Sequence, residues 1–145
     1  MLKIWRNKNV DLFLKEAYRK GAILSGLSAG SICWFKFGHS DSLKYRNAES
    51  QEYICVEGLG LVNGVHCPHY NEDDREENFT KMVNLLNITG IALENNCALE
   101  LNDNKFKVIK ADDHAKAYKV VKVEGNIIRE ELTNTVVYKS LDNLL

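Results

Sequence analysis

Ser28 stands in the string Gly26-Leu27-Ser28-Ala29-Gly30, with a glycine two positions to either side. That spacing suits a serine held on a sharp strand-to-helix turn. Side chains two residues away would collide there, and the hydroxyl is lifted to the end of a sheet. The chemistry is nucleophilic attack on an acyl carbon. The N–H of Ala29, next after the nucleophile, is the natural oxyanion donor. The same string also describes a glycine-rich turn in which Ser28 only caps a helix. A strand-like run before it and an apolar run after it favour the nucleophile.

A serine at neutral pH needs a base, and the base needs an orienting partner. Four histidines are available: His39, His66, His69 and His114. His69 follows Pro68 just past a short strand, at the kind of edge where α/β sites lie. His66 falls inside that strand, His114 in a charged loop, and His39 after the segment that leads away from the elbow. The run His66-Cys67-Pro68-His69 has ligand-type side chains, but neighbours on a strand point to opposite faces and no second ligand pair follows at zinc-finger spacing, so no metal is expected. The four cysteines, Cys33, Cys55, Cys67 and Cys97, read mostly as buried free thiols. Neither Cys33 nor Cys67 sits at the elbow, which leaves a thiol-based redox or acyl-transfer reading weak.

The elements that must position these residues follow from periodicity. Val10, Phe13, Leu14, Ala17 and Tyr18 recur on one face of a helix predicted over 9–20. Asn9 is placed to cap it and Gly21 to end it, with Arg19 and Lys20 in its last turn. Residues 22–25 read as a buried parallel strand leading into the elbow, and 32–37 as the helix leaving it. A loop is predicted over 39–50, strands over 52–56 and 64–67, a helix over 73–86 and a second buried strand over 90–93. Beyond that, 97–101, 105–110, 117–123 and 126–132 read as short strands separated by turn residues. The 145 residues therefore predict a single α/β domain over 1–145 whose last third is antiparallel.

The chain is 45% hydrophobic and 27% charged, enough to build a core. Its net charge of -1, from 19 basic and 20 acidic residues, gives no electrostatic reason to expect nucleic acid or an anionic membrane. No apolar run approaches the roughly 20 residues that span a bilayer. The first residues lack the apolar core of a signal peptide, and the expected compartment is the cytoplasm.

Gly26-Leu27-Ser28-Ala29-Gly30-Ser31, Ser40-Asp41-Ser42, Gly58-Leu59-Gly60-Leu61, Cys67-Pro68-His69-Tyr70 and Gly90-Ile91-Ala92-Leu93-Glu94-Asn95 follow one another along nearly the whole chain. Together they resemble successive blocks of the peptidase E (aspartyl dipeptidase) family of serine peptidases. The resemblance implies a partial flavodoxin-like, class I glutamine amidotransferase-like parallel sheet flanked by helices, with a C-terminal antiparallel β extension. It also implies a Ser-His-Glu triad of Ser28, His69 and Glu94, with Asp41 as a secondary acidic candidate. Arg75 falls where the family places an arginine for the substrate carboxylate, which a guanidinium can hold as a bidentate pair. Read without the family, Glu94 is a charge at a strand end and Arg75 a cation within an acidic helix start. The implied substrate is a short acidic peptide with N-terminal Asp, and the implied reaction uses no cofactor.

The family's sheet opens with several βα units before the segment that resembles 9–20, and a Gly-Gly-Asn loop supplies a second oxyanion donor. Neither is encoded here. A parallel edge and apolar helix faces would then need a cover, expected as a homodimer or a complementing N-terminal fragment. The alternative to an enzyme is a catalytically incomplete remnant or interaction subunit that keeps the elbow for its fold.

Overall fold

The computed structural model of the chain describes residues 1–44, 52–72, 74–133 and 137–145. Residues 45–50 of the predicted loop and Asp73 at the start of the predicted helix 73–86 lie outside the described residues. In chain order come α1 (Leu2–Asn7), α2 (Val10–Arg19), α3 (Ala29–Ile32), β1 (Phe35–Ser40), β2 (Ile54–Glu57), β3 (Val62–Cys67), α4 (Arg75–Leu86) and β4 (Gly90–Leu93). Then follow β5 (Cys97–Asn102), β6 (Lys105–Lys110), β7 (Ala117–Val123), β8 (Asn126–Glu131) and β9 (Lys139–Ser140), closed by a 3₁₀ turn over Leu141–Asn143.

Six strands form one mixed sheet in the order β2-β1-β3-β4-β7-β8. Its centre is parallel, β1 with β3 and β3 with β4, and its flanks are antiparallel. The sheet has two apolar faces because its strands alternate. Val65 and Cys67 of β3, Ala92 of β4 and Val120 of β7 pack under Phe79, Met82 and Val83 of α4. Val62, Ile91 and Ala117 face the other way, against Phe106 and Val108 of a small antiparallel sheet, β5-β6-β9. Helix, mixed sheet and small sheet make three layers, an α/β fold.

Two predicted elements differ in the structure. Residues 22–27, expected to begin with a strand, have no regular secondary structure and pair with no strand among the described residues, and Ile23 and Leu27 are 93% and 87% exposed. A strand persists when its N–H and C=O groups pair with a neighbour, and among the described residues none lies beside this segment. The helix expected over 32–37 ends at Ile32, and Phe35 opens β1 instead. Here the ladders to β2 and β3 and the burial of Phe35 outweigh a local apolar run that has no helical period.

Asn9 does not cap α2 through its side chain; its φ of 58° makes it a left-handed link between α1 and α2. Gly21, at φ 88°, ends that helix region as expected. Neither α1 nor α2 buries a residue, so Ile4, Leu12, Phe13 and Tyr18 stay exposed. Ile23 and Leu27, just before Ser28 in the chain, are exposed as well.

Candidate active site

Ser28 has φ 53° and ψ -121°, a conformation that non-glycine residues rarely hold and that costs about 1–3 kcal/mol. A Cβ on Gly26 would lie 2.2 Å from the carbonyl oxygen of Gly30, so only glycine fits there. A Cβ on Gly30 would meet nothing within 4 Å. The collision expected from both glycines holds for Gly26 alone. The Ala29 N–H, first in α3, has no hydrogen-bond partner among the described residues, as the start of a helix allows.

The parallel pairing of β3 with β4 brings two strand ends together beside this elbow. Pro68 stops β3, and His69 follows at φ 55° in a turn closed by the Glu72 N–H on the His69 carbonyl, 2.9 Å. His69 Nε2 lies 2.8 Å from Ser28 Oγ. His69 Nδ1 lies 2.6 Å from Asn95 Oδ1. Asn95 in turn donates from Nδ2 to Glu72 Oε1 at 2.9 Å, and its backbone N–H donates to Asn71 Oδ1 at 2.9 Å. Glu72 Oε1 is 3.7 Å from His69 Nδ1.

Glu94, the acidic member implied by the resemblance, does not meet His69. Its Oε2 accepts the Lys116 N–H at 2.8 Å and its own N–H donates to the Lys116 carbonyl at 3.0 Å, which ties the end of β4 to the chain entering β7. Side chains of adjacent residues diverge at a strand end, so the next residue, Asn95, turns to the histidine. Sequence reasoning missed Asn95 and Glu72. The signal for Glu72 was its place on the turn directly after His69, in a segment read as an acidic helix start.

Arg75 and Asp41 are likewise placed apart from Ser28. Arg75 Nη2 donates to Asp41 Oδ2 at 2.5 Å, and the arginine side chain is 5% exposed beneath the ring of Tyr53. This pair ties the start of α4 to the end of β1.

Two histidines are buried. His66 Nδ1 donates to the Ile91 carbonyl at 2.9 Å, its Nε2 lies 2.9 Å from Ser31 Oγ, and Phe35 stacks on its ring. Ser31 Oγ also lies 2.6 Å from the Ser28 carbonyl, so the elbow is braced from below through β3 and β4. His39 contacts Asn78 Oδ1 at 3.1 Å and Cys67 Sγ at 3.5 Å. Burial pushes both rings down to about 4. Burial also pushes the Cys67 thiol up to about 12 and raises Cys33, which makes both poor nucleophiles. No group of three or more metal-ligating side chains occurs among the described residues, and no helix among them is long and apolar enough to cross a membrane.

A cavity of about 510 Å³ opens between the elbow and the small sheet. Ile23, Leu24, Leu27, Trp34 and Leu99 give it apolar walls; Ser28 and His69 stand at its edge with Glu94 and Glu100. No lysine or arginine among the described residues lines it.

The profile of peptidase family S51 matches residues 1–109. The chain belongs to this family. A curated relative, the uncharacterized peptidase YgaJ of Bacillus subtilis (strain 168), is 33% identical over 130 residues, which cover 88% of this chain and 54% of that protein. The chain spans about half the length of this relative. Family S51 membership bears out the peptidase E relationship read from the sequence blocks. The S51 match takes in Ser28, His69, Glu72 and Asn95, and it ends within β6, so β7 and β8 lie beyond it.

Proposed function

We propose that the chain is a serine peptidase that cleaves short peptides by acyl transfer through Ser28. The observation that carries this reading is the 2.8 Å contact between Ser28 Oγ and His69 Nε2, on an elbow whose next N–H has no partner among the described residues. Ser28 Oγ attacks the scissile carbonyl while its proton passes to His69 Nε2. The Ala29 N–H receives the negative oxygen. On collapse the amine leaves with the proton from Nε2, and water, activated by the same nitrogen, releases the acid.

The resemblance implies N-terminal Asp in the substrate. Arg75, paired with Asp41, gives that preference no support, and among the described residues no lysine or arginine lines the cavity. The apolar walls and the Glu94 carboxylate suit a peptide with an apolar side chain and a free ammonium. The exposed apolar side chains of Tyr18, Ile23 and Leu27, which line the same cavity, support the expected cover by a second copy or an N-terminal fragment.

The test is turnover of aminoacyl anilides with an apolar or an aspartyl residue, together with labelling by a fluorophosphonate. Wild type releases the amine and is labelled at Ser28, with the apolar residue preferred. Ser28→Ala does neither. Turnover that survives Ser28→Ala would sink the assignment, and preference for aspartyl substrates would overturn the reading of the cavity.

A further inference from the structure

We infer that Asn95 and Glu72 act in series as positioning residues for His69, with Asn95 fixing its tautomer and Glu72 supplying the negative charge. This rests on the reading of Ser28 as nucleophile and His69 as base.

The argument follows which atoms can donate. The ionised carboxylate of Glu72 only accepts hydrogen bonds. The Asn95 amide group 2.9 Å from Glu72 Oε1 is therefore its NH₂, and the two-fold ambiguity of an asparagine side chain disappears. Its Oδ1 must then face His69. An amide oxygen only accepts, so the proton on the imidazole sits at Nδ1, in the 2.6 Å contact. That leaves a lone pair on Nε2, aimed at Ser28 Oγ 2.8 Å away. The hydroxyl is the only donor in that contact. Hydrogen bonds run in one sense from Ser28 through His69 and Asn95 to Glu72, and Nε2 is ready to accept.

Asparagine does not titrate and brings no charge. When the O–H bond of Ser28 breaks and an N–H bond forms at Nε2, the imidazolium needs a counter-charge. Glu72 Oε1, 3.7 Å from Nδ1, is the carboxylate that answers. Glu94 is engaged with Lys116 and takes no part in this line. Asn95 cannot swing away easily, because its backbone is tied to Asn71 and its amide to Glu72. The turn that carries Glu72 is closed on the His69 carbonyl itself, so base and charge move as one unit.

The experiment measures the rate of Ser28 labelling by a fluorophosphonate across pH, and the ¹⁵N shifts of the His69 ring, in wild type and four variants of the full chain. Asn95→Ala slows labelling about a hundredfold or more, since general-base catalysis is worth about 10²–10⁴-fold and a misdirected base loses it. Glu72→Gln, an exposed and conservative change, slows labelling and moves the acid limb of the rate profile to lower pH, because the imidazolium is less favoured. Asn95→Asp combined with Glu72→Gln restores labelling and moves that limb to higher pH than wild type, as the charge now sits on Nδ1 directly. Ser28→Ala is the control. The wild-type ring shows the Nδ1–H tautomer, and Glu72→Gln mixes in the other. Unchanged rates and pH profiles in Asn95→Ala and Glu72→Gln would overturn the inference, and so would an Nε2–H tautomer in wild type. If wild type is not labelled at Ser28, the nucleophile reading fails on its own, and the ring shifts still decide whether Asn95 and Glu72 set the tautomer.

Discussion

Acidification from about pH 7 to pH 4 destabilises this protein through two histidines that take no direct part in the chemistry. His39 and His66 are buried, with rings that burial pushes from the ordinary 6.5 down to about 4. The folded chain holds both neutral in that interval while the unfolded chain protonates them. The unfolded state then binds more protons, so stability falls as pH falls. The contribution is complete above 6.5, declines between 6.5 and about 4, and is spent below that. Each shift of about 2.5 units corresponds to about 3 kcal/mol at the acid end, against a total stability of about 5–15 kcal/mol for a domain.

The His66 figure is an upper bound, because a proton on Nε2 would find Ser31 Oγ at 2.9 Å. For His39, burial outweighs the Asn78 contact and Asp41, which favour the charged ring, and Arg75 opposes them. Carboxylates act in a lower window. Glu77 and Glu100, held below the ordinary range by hydrogen bonds from Lys81 and Tyr138, give up their share only at more acid pH. Urea unfolding followed by tryptophan fluorescence at several pH values measures the slope, and histidine Cε1–H titration assigns it. His39→Asn and His66→Asn each remove a titrating ring and flatten the slope by about half. A stability that stays level across this interval, with both rings titrating near the unperturbed value, would refute the reasoning.

Two further outcomes follow from the elbow and from Arg75. Gly26→Ala forces a Cβ onto the Gly30 carbonyl oxygen, so it costs about 1–3 kcal/mol in urea unfolding and slows Ser28 labelling, whereas Gly30→Ala leaves labelling intact and shifts stability by no more than about 1 kcal/mol. Arg75→Ala strands Asp41 and costs about 2 kcal/mol, below the usual cost of breaking a buried pair because the Asp41 side chain is 32% exposed, while KM for peptide substrates is unchanged. A raised KM for aspartyl substrates without loss of stability would return Arg75 to the substrate.

The fold was legible wherever a residue's own period decided its partner. α4 and β3 through β8 follow the amphipathic stripe around Phe79 and Val83, and the alternation of Val65 and Cys67. Where the partner is distant, local pattern failed. Phe35 and Phe37 sit in an apolar run that a helix or a strand could use, and only the ladders to β2 and β3 choose the strand. The segment 22–27 is the converse case. Its apolar residues announce a strand, but a strand is a relation between two segments, and among the described residues the second is not beside it.

The site divides along the same line. Ser28 and His69 are legible because a steric requirement and a proline-terminated strand leave marks in the sequence, and the structure sets them 2.8 Å apart. The partner of His69 leaves no such mark. At the end of β4 both Glu94 and Asn95 are polar, and one residue of register decides which side chain turns to the imidazole and which to Lys116. Charge alone argues for Glu94. Yet a carboxylate is needed only somewhere within reach, and an amide with its polarity fixed can pass the constraint along. Glu72 sits where that relay ends, three residues after the histidine it serves, on the turn that His69 itself closes. In the sequence its charge merges with those of Asp73, Asp74 and Glu76. What distinguishes it is the direction of one hydrogen bond, and that is a property of folded geometry rather than of residue type.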